Sequence, residues 1–411
     1  MGHHEPVTDW ATDFDHTDDV YAADPYPIWK DIRESGCPIA HTERYGGAWL
    51  PTSFKDVSAI AYDTERFTSR SVLATEFRPP MELAPAGIAP PISADPPYHL
   101  ESRRALLPVF SPKVIAELEK STRAYCQELI AEMGDKDVVD AALEYSQNIP
   151  VRVIANMLGL PETDADKFRG FVTHALEGVS LPLEDRMAGM MELFQYMRAQ
   201  IVDHLENPRD DMISYLLEQA GGDPAVQAGL DADTGTFMVG RTVVLLLLAG
   251  IDTTWSAIGA SLWHLAATPS DRDWLVREPD LMPSAIEELL RAYAPVTMAR
   301  LVREDMDFNG CPMKKEDWVL LPFPAANRDP EAFDRPDEVI LDREENRHSA
   351  FGLGPHRCAG SHLARMEMRV ALEEWLAAFP DFELADPDAV RWSGGQVRGP
   401  RLLPIRINAR S

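Results

Sequence analysis

Cysteine is scarce in this chain: four residues in 411, at Cys37, Cys126, Cys311 and Cys358, far apart and without CxxC spacing. Clustered-thiolate zinc and iron–sulfur sites are therefore excluded, and so sparse a set suits a reducing compartment. Long apolar runs are lacking too. The longest, Val243 to Ile251, is well short of the roughly 18 residues that suggest a membrane span. Positive charge is in deficit: 39 Lys and Arg stand against 67 Asp and Glu, a formal net charge of −28. Nucleic acid and anionic membrane surfaces are poor partners for such a surface. No Gly/Ser-rich linker or charge block divides the chain. The expectation is one domain over residues 1–411 behind an acidic leader, 1–23, with no fused reductase. No apolar h-region follows the N-terminus, so a cytoplasmic protein is expected.

Against these absences one stretch stands out, Phe351-Gly352-Leu353-Gly354-Pro355-His356-Arg357-Cys358-Ala359-Gly360. Three glycines and a proline in ten residues exclude regular structure. From Ser361 to Phe379 the apolar residues Leu363, Met366, Val370, Leu376 and Phe379 alternate with charges at helical spacing. Cys358 thus precedes a helix, where free amides and the dipole favour thiolate over thiol.

A second informative element runs from Phe237 to Ala267 without a proline. As a helix it forms a rod of roughly 45 Å, apolar enough to be buried. Leu245, Ala249 and Thr253 recur at four-residue spacing and form one stripe, with Leu248 beside it. The stripe ends at Asp252-Thr253, an acid and an alcohol in a buried setting. On the residues alone two readings stay open. Asp252 makes a salt bridge while Thr253 bonds back to Ala249 and bends the helix, or the pair serves a ligand in the space that Gly250 leaves.

Elsewhere the patterns are plainer. Cys37 to Thr42 and Gly47 to Pro51 read as strands about a Tyr45-Gly46-Gly47 turn, and Ser53 to Tyr62 as a helix. Seven prolines between Pro79 and Pro97 forbid a continuous helix and mark a lid or linker. His99 and Arg103 share a helical face, as do Glu288 and Arg291. Residues 112 to 220 alternate helical patterns with short breaks. Strand-like stretches follow at Phe308 and at Trp318 to Leu321.

The loop around Cys358 resembles the haem-binding loop of the cytochrome P-450 family, and the likeness extends over roughly residues 24 to 407. The resemblance implies a mainly α fold with small β-sheets (α+β), a helical bundle enclosing haem b between the long central helix and the cysteine loop. It implies Cys358 as iron ligand, with His99, Arg103, Arg300 and His356 toward the propionates and Ala249, Phe351 and Gly360 also at the cofactor. Asp252 and Thr253 match the family's oxygen-activation motif. Val296, Met298 and Val397 match positions near substrate, and with Met81, Leu83, Leu245, Leu248 and Ala249 they are the apolar candidates for lining the substrate site. Arg70 and Arg78 flank the lid, either as exposed arginines or as partners of a substrate carboxylate. Glu288 and Arg291 match a structural pair whose third, basic partner is left open, because Glu338 stands where that residue is common.

The activity implied is a monooxygenase acting on a small apolar substrate by hydroxylation or O-dealkylation. Its electrons would come from a separate ferredoxin and ferredoxin reductase, docking on a basic patch of Arg103, Arg104, Lys113, Arg357, Arg365 and Arg369. Peroxide-driven or non-oxygenating haem-thiolate chemistry, and a non-catalytic haem or ligand carrier, are the alternatives.

Overall fold

The fold is organised by the long helix, which runs over Met238–Ala267 and carries side chains into the core along most of its length. The computed structural model describes residues 5–36, 39–75, 78–79, 89–177, 183–220 and 238–408. Met81, Leu83, Cys37, Phe237 and residues 80–88 of the expected lid lie outside them.

By length and composition the central helix could cross a membrane, but 72% of its most apolar window is buried inside the protein. Hydrophobicity on all sides is what a helix enclosed by other helices requires. Asn148–Leu158 packs along it, and Pro112–Met133 packs along Ser361–Ala378, the helix that follows Cys358. Val243, Leu247, Ile251, Ile258 and Leu262 of the central helix share one core with Ile154, Tyr145, Val370, Leu372 and Trp375.

Apart from Val138–Asp140, the strands lie before residue 69 and after residue 296. A five-stranded sheet has the order Ile39–Thr42, Ala48–Pro51, Trp318–Pro322, Thr297–Val302, Phe67–Thr68. Its first pair is the expected hairpin, in antiparallel register from Ile39 opposite Pro51 to Thr42 opposite Ala48. Trp29, Leu50, Trp318 and Phe14 fill a second, smaller core on this sheet. The helix expected from Ser53 spans Phe54–Tyr62, and the Ser53 side chain caps it by accepting from the amide of Asp56 at 3.0 Å. A three-stranded sheet that local spacing does not signal joins Val138–Asp140 and Asp381–Leu384 on either side of Pro404–Asn408. The chain's last strand is thereby fastened to its middle.

Candidate active site

Between the central helix and the loop before Ser361 lies a cavity of about 1410 Å³, part of it open to solvent. Its walls are mostly apolar.

One wall is the cysteine loop. The Cys358 amide donates to the Phe351 carbonyl at 2.7 Å, closing the loop on itself. Gly352 and Gly354 take φ of 71° and 68°, a region that disfavours side chains. At Gly354 a Cβ would also stand 2.5 Å from the carbonyl oxygen of Ala61, so the loop's approach to the helix Phe54–Tyr62 requires glycine. The Cys358 sulfur is enclosed by protein atoms but opens onto the cavity, and the cysteine itself is exposed. Burial raises its thiol above the ordinary range, against the Gly360 amide and the charges of Arg103, Arg357 and Arg365. In the protein alone, then, desolvation outweighs the thiolate preference expected at a helix start.

Phe351 lies on the same wall, with the Arg365 guanidinium 4.4 Å from its ring centre. Arg365 is held by two hydrogen bonds to Glu287, at 2.5 and 2.7 Å, and Arg369 is paired with Glu119 and Glu373. Neither is a free cation of a basic patch, which corrects the expectation for both. Arg103 lines the cavity instead and donates to the Arg357 carbonyl. Arg104, Lys113 and Arg357 are exposed.

His99 and Arg103 of one helix, Arg300 and His356, from three separate parts of the chain, meet at one end of the cavity. The two histidine rings are 4.3 Å apart at their centres. His99 Nε2 and His356 Nδ1 are buried with no hydrogen-bond partner, while His356 Nε2 lies 2.9 Å from the Ser69 hydroxyl. Burial, with the charges of Arg300, His99 and Arg103, pushes His356 down to about 2. Burial lowers Arg300 to about 10 against the opposing charge of Asp95. So many buried donors facing one space leave it short of anions. Ser69, an acceptor or donor to His356, carries no signal in its sequence context.

The opposite wall is the stripe Leu245, Ala249 and Thr253, joined by Leu246, Gly250, Thr254 and Ala257. The Thr253 hydroxyl donates to the Ala249 carbonyl at 2.9 Å. Asp252, fully buried, faces away and accepts from Arg401 at 2.5 Å. A Cβ at Gly250 would come 3.2 Å from Ile154, so this glycine serves the close approach of the helix Asn148–Leu158 as well as the cavity.

Val296 and Met298 line the cavity. Leu248 and Val397 do not. Leu248 packs against the main core, about 60° round the helix from Leu245. Val397 sits behind the wall, bridged to Val296. Arg70 is buried and paired with Glu316, and Arg78 donates to the carbonyls of Glu316 and Gly46, at 2.7 and 2.9 Å, beside the Trp318 ring. Both are tied into the sheet.

The third partner of Glu288 is Arg343, whose Nε donates at 2.9 Å. Arg291 binds Glu288 through two 2.8 Å hydrogen bonds and also donates to the carbonyls of Asn327, Pro336 and Glu338. Glu338 contributes only its backbone to Arg291. Through Asn327, whose side-chain oxygen accepts from Ser349 at 2.7 Å, this network reaches the start of the cysteine loop.

The model of the family described as "Cytochrome P450" matches residues 168–390. A probable cytochrome P450 127A1 of Sinorhizobium fredii is 32% identical over 92% of this chain and 88% of its own. The mycinamicin IV hydroxylase/epoxidase of Micromonospora griseorubida is 32% identical over 87% of this chain and 89% of its own. Among solved structures, the cytochrome P450 PksS of Bacillus subtilis superposes with a TM-score of 0.84 at 28% identity, covering 96% of this chain and all of that one. With its cysteine loop facing a long buried helix across a cavity, the chain belongs to the cytochrome P450 family of haem-dependent monooxygenases.

Proposed function

We propose that this enzyme inserts one atom of O2 into a small apolar organic substrate, by hydroxylation or O-dealkylation, using electrons from a separate ferredoxin and its reductase. For hydroxylation, substrate, O2, NADH and one proton give hydroxylated substrate, water and NAD+. The observation that carries this reading is one cavity with Cys358 on one wall, Thr253 on the other and a cluster of buried donors at its end.

That cluster fits haem. Two orphaned ring nitrogens and a buried guanidinium are what two propionate carboxylates would satisfy, by charge-assisted hydrogen bonds. In this reading His99, Arg103, Arg300 and His356 hold the propionates, Cys358 ligates the iron with the Gly360 amide directed at its sulfur, and Phe351 and Ala249 pack on the macrocycle. Haem bound through a thiolate supplies O2 activation with cleavage of the O–O bond. Cys358 would serve the iron as a thiolate, giving up the proton that burial otherwise retains.

The remaining work falls to the chain. Leu245, Val296 and Met298 offer apolar contact, which suits a substrate without charge. Of the solved neighbours, CYP109E1 of Bacillus megaterium, with a TM-score of 0.82 at 28% identity and covering 95% of this chain, was crystallised with testosterone, and it supports the apolar class. Thr253 holds a hydroxyl at the cavity and Asp252 stands behind it as the acid. Positioned proton transfer contributes on the order of 10²–10⁴-fold. Thr253→Ala is therefore expected to keep haem and ligand binding but to divert most of the NADH consumed into hydrogen peroxide. Unchanged product per NADH would remove Thr253 from the mechanism.

For the electron donor we infer docking at Arg104, Lys113 and Arg357, beside Leu100 and Leu107, which are 51% and 48% exposed. Local charge governs such encounters even on an acidic protein. Arg104→Glu should slow ferredoxin-supported reduction several-fold, and the difference should shrink as salt is raised. Reduction indifferent to both would place the donor elsewhere.

A further inference from the structure

Asp252 is the acid of the proposed proton path, yet its carboxylate turns from the cavity to Arg401. Arg401 is itself held. Its Nη1 donates to the Ser256 hydroxyl at 3.0 Å, and its guanidinium carbon stands 4.1 Å from the ring centre of Trp255. Positions 252, 255 and 256 share one helical face, so three side chains of the central helix grip one planar cation.

Arg401 belongs to the strand Pro400–Leu402, which continues from a segment laid along the cavity wall. The Thr297 amide donates to the Gln396 carbonyl at 2.9 Å, Val397 bridges to Val296, and the Arg398 amide donates to the Pro295 carbonyl at 2.8 Å. Gln396 Nε2 lies 3.3 Å from the Met298 sulfur. Pro295, Val296 and Met298 all line the cavity. Next in the chain, Gly399 presses on the central helix, where a Cβ would stand 2.3 Å from Ser256 Cβ and 2.6 Å from its Cα. Residues 396–401 thus form a strap, fastened to the substrate wall at one end and to the acid at the other.

We propose that Arg401 is the positioning residue for Asp252, and that the strap carries the state of the substrate wall to it. Arg401 keeps the acid ionised and turned away until substrate displaces the wall at Pro295–Met298. This rests on the reading of Asp252 and Thr253 as the proton path. A buried carboxylate stripped of its cation takes up a proton instead of staying charged. A protonated carboxyl beside Thr253 would then deliver protons whether or not substrate is bound.

The test uses the purified holoenzyme with a surrogate ferredoxin and reductase, and no substrate. NADH oxidation and peroxide release are measured; each NADH, with one solvent proton, reduces one O2 to one H2O2. Arg401→Gln should raise this substrate-free rate by about tenfold, within the range of a positioned proton donor. Arg401→Lys, which keeps the charge, should stay within about twofold of the parent, and Gly399→Ala should leak with Arg401 intact. In Asp252→Asn/Arg401→Gln the leak should disappear. Infrared spectra should show a protonated carboxyl band in Arg401→Gln that is missing from the parent and from the double variant. A parental rate and no new band in Arg401→Gln, while Asp252→Asn slows NADH oxidation, would overturn the positioning role alone. A leak that persists in the double variant would overturn it too. If Asp252→Asn changes nothing, the underlying proton-path reading fails instead.

Discussion

Cys358→Ser is expected to abolish turnover and to remove the thiolate signature from the absorption spectrum of the ferrous carbon monoxide adduct. A serine hydroxyl at this place keeps the size of the side chain but cannot donate electron density as a thiolate does. The loop itself should survive, because its shape depends on Gly352, Gly354 and the Cys358–Phe351 backbone hydrogen bond, none of which uses the sulfur. Haem should still be drawn by the donor cluster of His99, Arg103, Arg300 and His356. The variant should therefore bind haem more weakly and fail in catalysis, a separation that pyridine haemochrome content against turnover would read. Retention of the thiolate signature would take the ligand role away from Cys358.

The second large effect concerns stability. Arg291 and Glu288 are fully buried and bind each other through two hydrogen bonds, with Arg343 and the Ile340 amide also on the carboxylate. Removing one member of such a pair leaves an uncompensated buried charge and costs about 3–5 kcal/mol. Arg291→Ala additionally orphans the carbonyls of Asn327, Pro336 and Glu338. We expect a loss at the upper end of that range, seen in denaturant unfolding, together with weaker haem retention because Asn327 anchors Ser349 before the cysteine loop. A loss below about 1 kcal/mol, the value of a surface pair, would contradict the assigned role.

Acid should weaken the same region. Burial alone would raise both neighbouring carboxyls, but Arg365 and His348 hold Glu287 down at about 2, and Arg291, the Ile340 amide and Arg343 hold Glu288 below its ordinary value. Groups depressed in the folded state contribute stability that is present above their unfolded values and lost as pH falls through the folded ones.

What could be read before folding was local. The glycines around Cys358, the unbroken run of the central helix and the stripe Leu245, Ala249, Thr253 all express spacing, and spacing is what helices and turns impose on a chain. The partners of long charged side chains were not legible. Nothing near Arg343 points to Glu288, and nothing near Arg401 points to Asp252, because those encounters are set by packing of distant elements. The expected basic patch failed at Arg365 and Arg369 for the same reason: a list of cations does not show which carboxylates fold against them. Leu248, beside the stripe, was expected at the substrate and packs against the main core instead. The two open readings of Asp252 and Thr253 also turned out to be compatible. The salt bridge and the back-bond to Ala249 both exist, and they describe how the pair is held.

Oxygenation of the substrate with O2 is open to a direct test. Ligands should first be found by their shift of the haem absorption band, and the best then turned over under ¹⁸O2 with NADH, ferredoxin and reductase. One labelled oxygen atom per product, with one NADH and one O2 consumed, is the result expected of a hydroxylation. Product free of label, or formed without O2, would contradict it.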